Sequence, residues 1–122
     1  MKHNIAFEKS VDFAIRIVNL YKYLCDKKKE FVLSKQILRS GTGIGANLSE
    51  AECAMSDGDF LAKVYIAYKE ASETLYWLKL LRDTKYLSEK EYVSLYEDCG
   101  QIVKILAATT KTLESKKKGK KK

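Results

Sequence analysis

Proline is absent from this 122-residue chain, and glycine occurs only six times. Proline is the usual residue of turns and helix stops, so its absence excludes a loop-rich fold and predicts few, long helices. Histidine occurs once, as His3, which removes any Ser-His or Cys-His nucleophile pairing from the interior. No apolar run approaches the roughly 18 to 20 residues of a spanning helix, so no membrane partner is expected. The N-terminus lacks the apolar stretch and small-residue cleavage site of a signal peptide. Cysteine is sparse, odd in number and scattered: Cys25, Cys53 and Cys99, with no Cys-x-x-Cys. That pattern predicts thiols packed as small core side chains in a reducing, cytoplasmic compartment.

What is present is helical periodicity and an uneven distribution of charge. Apolar residues make up 46% of the chain and charged residues 32%, at a net charge of +7. Residues 1–40 carry nine basic and four acidic groups, whereas residues 41–84 carry four and seven. Residues 85–115 carry four basic and five acidic groups, and the rest of the surplus is the lysine tail. A basic balance of this kind points to a polyanion, but its location ties it to the first helix region and the tail, not to the whole body.

In the first helical segment Phe13, Ile17, Leu20 and Leu24 form one stripe, and Ala14, Val18, Tyr21 and Cys25 form its neighbour. A face two stripes wide is more than one partner helix covers. A second helix is expected from Ser34 as N-cap, with Ile37, Gly41, Ile44, Leu48, Ala51 and Met55 as its seam. Ser56 with Asp59, and Ser88 with Glu91, read as capping boxes that open the third and fourth helices. The third buries Phe60, Val64, Ala67, Ala71, Leu75, Leu78 and Leu81; the fourth buries Tyr92, Leu95, Cys99, Ile102, Leu106, Thr109 and Leu113. Short connections between long amphipathic helices predict an all-α, antiparallel up-down-up-down four-helix bundle. The expected organisation is an N-terminal arm at 1–6, the bundle at 7–114 and a disordered lysine-rich tail at 115–122.

Several patterns suggest chemistry, and each has a plainer reading. Gly41-Thr42-Gly43-Ile44-Gly45-Ala46 formally matches G-x-G-x-x-G/A, yet helical flanks replace the strand that a dinucleotide fingerprint requires. Gly41, Gly45 and Ser49 instead form a small-residue strip at i, i+4, i+8, suited to close helix approach or assembly. Each glycine costs ~1 kcal/mol of helix stability, which a tight contact offsets. A di-iron bundle needs Glu-x-x-His pairs, but Glu50, Glu70 and Glu73 are followed at that spacing by Cys53, Glu73 and Tyr76. No cofactor or metal is expected. With Arg39, Ser40, Asn47 and Lys69, these carboxylates read as a solvated face or as interhelical and intersubunit ion pairs. The eight tyrosines fit core and interface edges better than base-stacking platforms.

Two basic groups remain as nucleic-acid candidates: Lys27, Lys28 and Lys29, with Arg39, and the tail lysines Lys116, Lys117, Lys118, Lys120, Lys121 and Lys122. Phosphate contacts by such residues are blind to sequence and steeply salt dependent. A solubility tail without a partner is the plain alternative, and membrane attachment through it would be electrostatic only.

Three strings then carry a family resemblance. They are R-S-G-T-x-I-G-A-N at 39–47, A-x-S-x-x-D-F at 54–60, and K-E-A-x-E-T-x-Y-W-L at 69–78. Over roughly residues 7–113 the chain resembles the bacterial four-helix-bundle family named after proteins encoded in 23S ribosomal-RNA intervening sequences. Gly43 stands where serine is commoner. The resemblance implies a ring-like homopentamer and no catalytic residues that can be carried over. The expectation is thus a non-enzymatic homo-oligomer associated with RNA or DNA. The alternative is a protein–protein interaction scaffold that binds no nucleic acid, its protein partner unspecified.

Overall fold

A computed structural model describes the backbone of residues 2–120 and the side chains of residues 5–119. Four helices fill it: α1 (Lys2–Asp26), α2 (Leu33–Ala51), α3 (Asp57–Asp83) and α4 (Glu89–Lys120). Among the described residues there are no strands. Connections of six, five and five residues force consecutive helices antiparallel. Each helix packs on its two neighbours and α4 closes on α1, while the main chains of the diagonal pairs stay apart. The four-helix bundle expected from periodicity is therefore the fold.

The core follows the apolar stripes. Phe13, Ile17 and Leu24 of α1 meet Ile37 and Ile44 of α2, Leu78 and Leu81 of α3, and Ile102 and Leu106 of α4, all essentially solvent-free. The neighbouring stripe of α1 (Ala14, Val18, Tyr21 and Cys25) is only half-buried. Thr74 and Ser40 join the core as polar members. They share a 2.8 Å hydroxyl–hydroxyl hydrogen bond, and Thr74 Oγ1 also lies 2.8 Å from the Glu70 carbonyl oxygen. At the other hydroxyl end Ser10, fully buried, donates to the Phe7 carbonyl at 2.6 Å.

Four local expectations change. The helix of α1 begins at Lys2 rather than after an arm at 1–6, because the buried stripe runs back from Phe13 through Ser10 to Ala6. The helix of α4 continues past residue 114 to Lys120 instead of giving way to a disordered tail. Residues 114–119 are all exposed, so only main-chain bonds and the good helix propensity of lysine sustain that extension. Met55 leaves the seam of α2, since the helix stops at Ala51 and leaves it 95% exposed. Ser34 lies in the first turn of α2, fully buried, and the cap is Glu30, whose carboxylate accepts from the amides of Val32, Leu33 and Ser34 at 3.3, 3.0 and 2.7 Å.

The other two starts follow the expected chemistry. Ser56 Oγ accepts from the Asp59 amide at 3.0 Å. Ser88 and Glu91 form a reciprocal capping box, at 3.1 Å to Ser88 Oγ and 3.0 Å to Glu91 Oε1. The end of α3 is a Schellman turn in which the Tyr86 amide reaches the Leu81 carbonyl and the Lys85 amide reaches that of Arg82. Lys85 takes the left-handed position (φ 73°) that glycine usually fills.

Candidate functional site

The dense polar group on the second and third helices is a clasp between them. Arg39 of α2 points across to α3, pairing with Glu70 Oε2 at 3.2 Å and with Glu73 Oε2. The same Glu73 oxygen accepts from Trp77 Nε1 at 2.9 Å, one turn along α3. Beneath this lies the Ser40–Thr74 hydroxyl pair. Gly43 leaves room for the Glu70 carboxylate: a Cβ there would stand 2.6 Å from Glu70 Oε2. Asn47 turns back on its own helix and donates to the Gly43 carbonyl at 2.8 Å. Glu50 pairs with Lys63 at 3.1 Å. Both Glu70 and Glu73 are thus occupied as acceptors, and no group of His, Cys, Asp and Glu among the described residues is arranged to hold a metal ion.

The small-residue strip faces α1. A Cβ on Gly41 would lie 2.8 Å from both Ile17 Cγ atoms, and one on Gly45 would lie 2.9 Å from Ser10 Oγ. Ser49 is exposed at the end of that line. Outside this contact, α1 presents Val11 at 40% exposure and Ile15 at 57%, and a groove of about 360 Å³ runs between them and Thr42 and Ala46 of α2.

The candidate cations separate into three places. Lys27, Lys28 and Lys29 lie in the α1–α2 connection, at the end of the bundle where α3 finishes and α4 starts. There the amide and hydroxyl of Ser88, with Lys28 acting more weakly through space, hold Glu91 below the usual carboxylate range. Lys116, Lys117 and Lys118 project from the last turns of α4 at the opposite end, where Lys116 and Lys117 border a groove with Asp57, Gly58 and Leu61. From residue 91 to residue 116 the helix rises roughly 40 Å, so one chain does not bring the two groups together. Arg39, expected among these cations, is held by two carboxylates in the clasp instead. The side chains of Lys120, Lys121 and Lys122 lie outside the described residues. None of the six described lysines stands within ion-pair distance of a carboxylate.

Sequence reasoning missed Glu30, Thr74 and Trp77 as structural polar residues. Thr74 was within reach, because it sits between Ala71 and Leu78 on the buried stripe at spacings of 3 and 4. Glu30 carried no such signal; it stands in a lysine run, four residues before the serine that resembles a cap.

Comparison with known proteins agrees with these motifs. The sequence profile of the family described as 23S rRNA-intervening sequence protein matches residues 2–108. A crystal structure of a protein of unknown function from the S23 ribosomal protein family of Bacteroides thetaiotaomicron is 55% identical, with a TM-score of 0.89. The match covers 91% of this chain and 99% of that one. No curated protein matches the chain.

Proposed function

Because the chain belongs to the 23S rRNA-intervening sequence protein family, and because a run of consecutive exposed, unpaired lysines stands at each end of the bundle, we propose a non-enzymatic homo-oligomer that associates with RNA or DNA through those ends. The observation that carries this reading is the fate of the charges. Arg16, Arg39 and Lys63 are consumed in ion pairs along the body, where Lys69 and Lys104 stand exposed only singly, while Lys27–Lys29 and Lys116–Lys118 are consecutive, exposed and unpaired. Free ammonium groups displace counterions from a phosphate backbone; paired ones do so poorly.

Assembly follows from the uncovered stripe of α1. Val11, Ile15 and Val18 recur at helical spacing beside the small residues of α2, and a second copy laid there removes them from water. The pentamer implied by the family resemblance gives five lysine-rich helix ends per particle, so that weak single contacts gain avidity. The clasp carboxylates act in this reading as structure, holding α2 on α3.

Salt-titrated binding of the full chain and of a 1–115 truncation to generic RNA and double-stranded DNA tests the proposal. Binding at ~50 mM salt should weaken steeply as salt rises. Loss of the tail should flatten that slope without abolishing binding. If neither form binds at ~50 mM salt, the nucleic-acid reading is wrong and the bundle is an interaction scaffold.

A further inference from the structure

We propose that the α1–α2 connection is a binding surface for single-stranded nucleic acid, with Phe31 as its stacking face and Lys27, Lys28 and Lys29 as its phosphate contacts. This rests on the nucleic-acid reading above and adds the strand state and the residue that selects it.

The connection exposes more apolar surface than a solvated loop requires. Phe31 is 52% exposed and Val32 is 71% exposed. Tyr23, in the last turn of α1, has the Lys28 ammonium 5.8 Å from its ring centre. This exposure comes with a tied backbone. Lys29 holds a left-handed turn (φ 54°), and the Glu30 amide donates to the Leu24 carbonyl at 2.9 Å. The Glu30 carboxylate then anchors the amides of Val32, Leu33 and Ser34. Phe31 therefore sits on a tied backbone between a left-handed turn and a capped helix, with half of its surface in water.

The acid in the loop is also spoken for. Glu30 directs its charge at the N-terminus of α2, so three consecutive lysines keep a positive field around Phe31. Asp26 at the end of α1, Asp83 and Glu89, both paired with Arg82, and Glu91, near Lys28, are the other carboxylates of this end.

An aromatic face ringed by ammonium groups fits unpaired bases on a phosphate backbone. A duplex keeps its base faces stacked inside, so it would use the lysines and leave Phe31 idle. An anionic membrane is disfavoured by the scale of the apolar tip: two side chains at an end that also carries carboxylates are a weak anchor.

The test uses the full chain and follows anisotropy of a labelled U12 strand, a 12-base-pair RNA duplex, and phosphatidylserine vesicles. Wild type should prefer U12 to the duplex by about ten-fold at ~50 mM salt. Phe31→Leu keeps an apolar side chain but removes the π face; it should lose roughly ten-fold on U12 and nothing on the duplex. Phe31→Trp should retain U12 binding with quenched indole emission, which guards against a folding defect in the leucine variant. Lys27→Ala/Lys28→Ala/Lys29→Ala should weaken both strands. Equal binding of U12 by wild type and Phe31→Leu overturns the proposal and leaves the broader reading standing. So does Phe31-dependent binding to vesicles in preference to U12. No binding of either nucleic acid by wild type sinks both.

Discussion

At the scale of single residues, glycine has opposite meanings in two helices. Gly41 sits against Ile17, where an added Cβ would meet two Cγ atoms at 2.8 Å; Gly100, about three turns into α4, has nothing within 4 Å. Alanine at either position gains ~1 kcal/mol of helix propensity. At Gly41 that gain meets an overpacking cost of about 1–3 kcal/mol, since Ile17 is buried and its branch point cannot turn away. Gly41→Ala should therefore lower the melting temperature, and Gly100→Ala should raise it. Denaturation of the two variants side by side is the measurement, and a more stable Gly41→Ala would show that α1 and α2 do not need their close approach. The cysteines divide in the same way. Burial, with the Asp98 charge adding to it, pushes the Cys99 thiol up to about 12, and its Sγ donates to the Ala71 carbonyl. Cys53 is exposed. At pH 8 iodoacetamide should label Cys53 in minutes, while Cys99 should react only after unfolding, as peptide mass spectrometry would report. The packing role of the glycine strip was legible from spacing, because i, i+4, i+8 has one geometric meaning on a helix. Which neighbour it met was not, since spacing names a face and not its partner.

At the scale of the element, each helix start is a small electrostatic device, and α2 has the least familiar one. Burial works against the Glu30 carboxylate, and the amides of Leu33, Ser34 and Val32 more than offset it, leaving its pKa lowered. A group depressed in the folded state lends stability that is complete above its unfolded pKa of about 4.3 and is lost as pH falls through the folded value. Glu30→Ala should cost about 1 kcal/mol near neutral pH, the usual value of a lost cap. The gap to wild type should narrow as pH falls below the unfolded value and close below the folded pKa, so a series of melting curves from pH 7 into acid checks both size and sign. A gap that widens in acid would mean that Glu30 acts through something other than its charge. Ser56 and Ser88 were readable as caps because serine followed by an acid three residues on is a local rule. Glu30 escaped because its partners depend on the left-handed turn at Lys29, which folds the chain back by a route that no short-range pattern records. The extension of α4 escaped for a related reason: like charges predict repulsion, but residues 114–119 leave a helix already more than twenty residues long, and propagation is cheaper than nucleation.

At the scale of the whole molecule, the sequence led to the bundle because four stripes of period 3.6 close on one another with short connections, and little else satisfies them. Assembly was less legible, because the surplus apolar width of α1 offers a face without naming what, if anything, covers it. In the single chain that surplus is concrete: Ile15 is 57% exposed and Val11 40%, both on the α1 wall of the groove that faces Thr42 and Ala46 of α2. Ile15→Asp discriminates the two fates of this face. If the face stays in water, the substitution removes an exposed methyl cluster and changes stability by less than ~0.5 kcal/mol. If it lies between copies, the buried carboxylate has no partner and the assembly comes apart. Light scattering should give wild type a mass of about 70 kDa, five times the 13.9 kDa chain, and Ile15→Asp a mass near that of one chain with its helix content intact. A wild type that is monomeric at micromolar concentration would refute the assembly. Dissociation also carries into binding, because avidity multiplies weak contacts by as much as ~10²–10⁴ only while the ends are held together. The Ile15→Asp monomer should therefore lose most of its affinity for a long RNA but little for U12, since a twelve-nucleotide strand occupies one end of one chain.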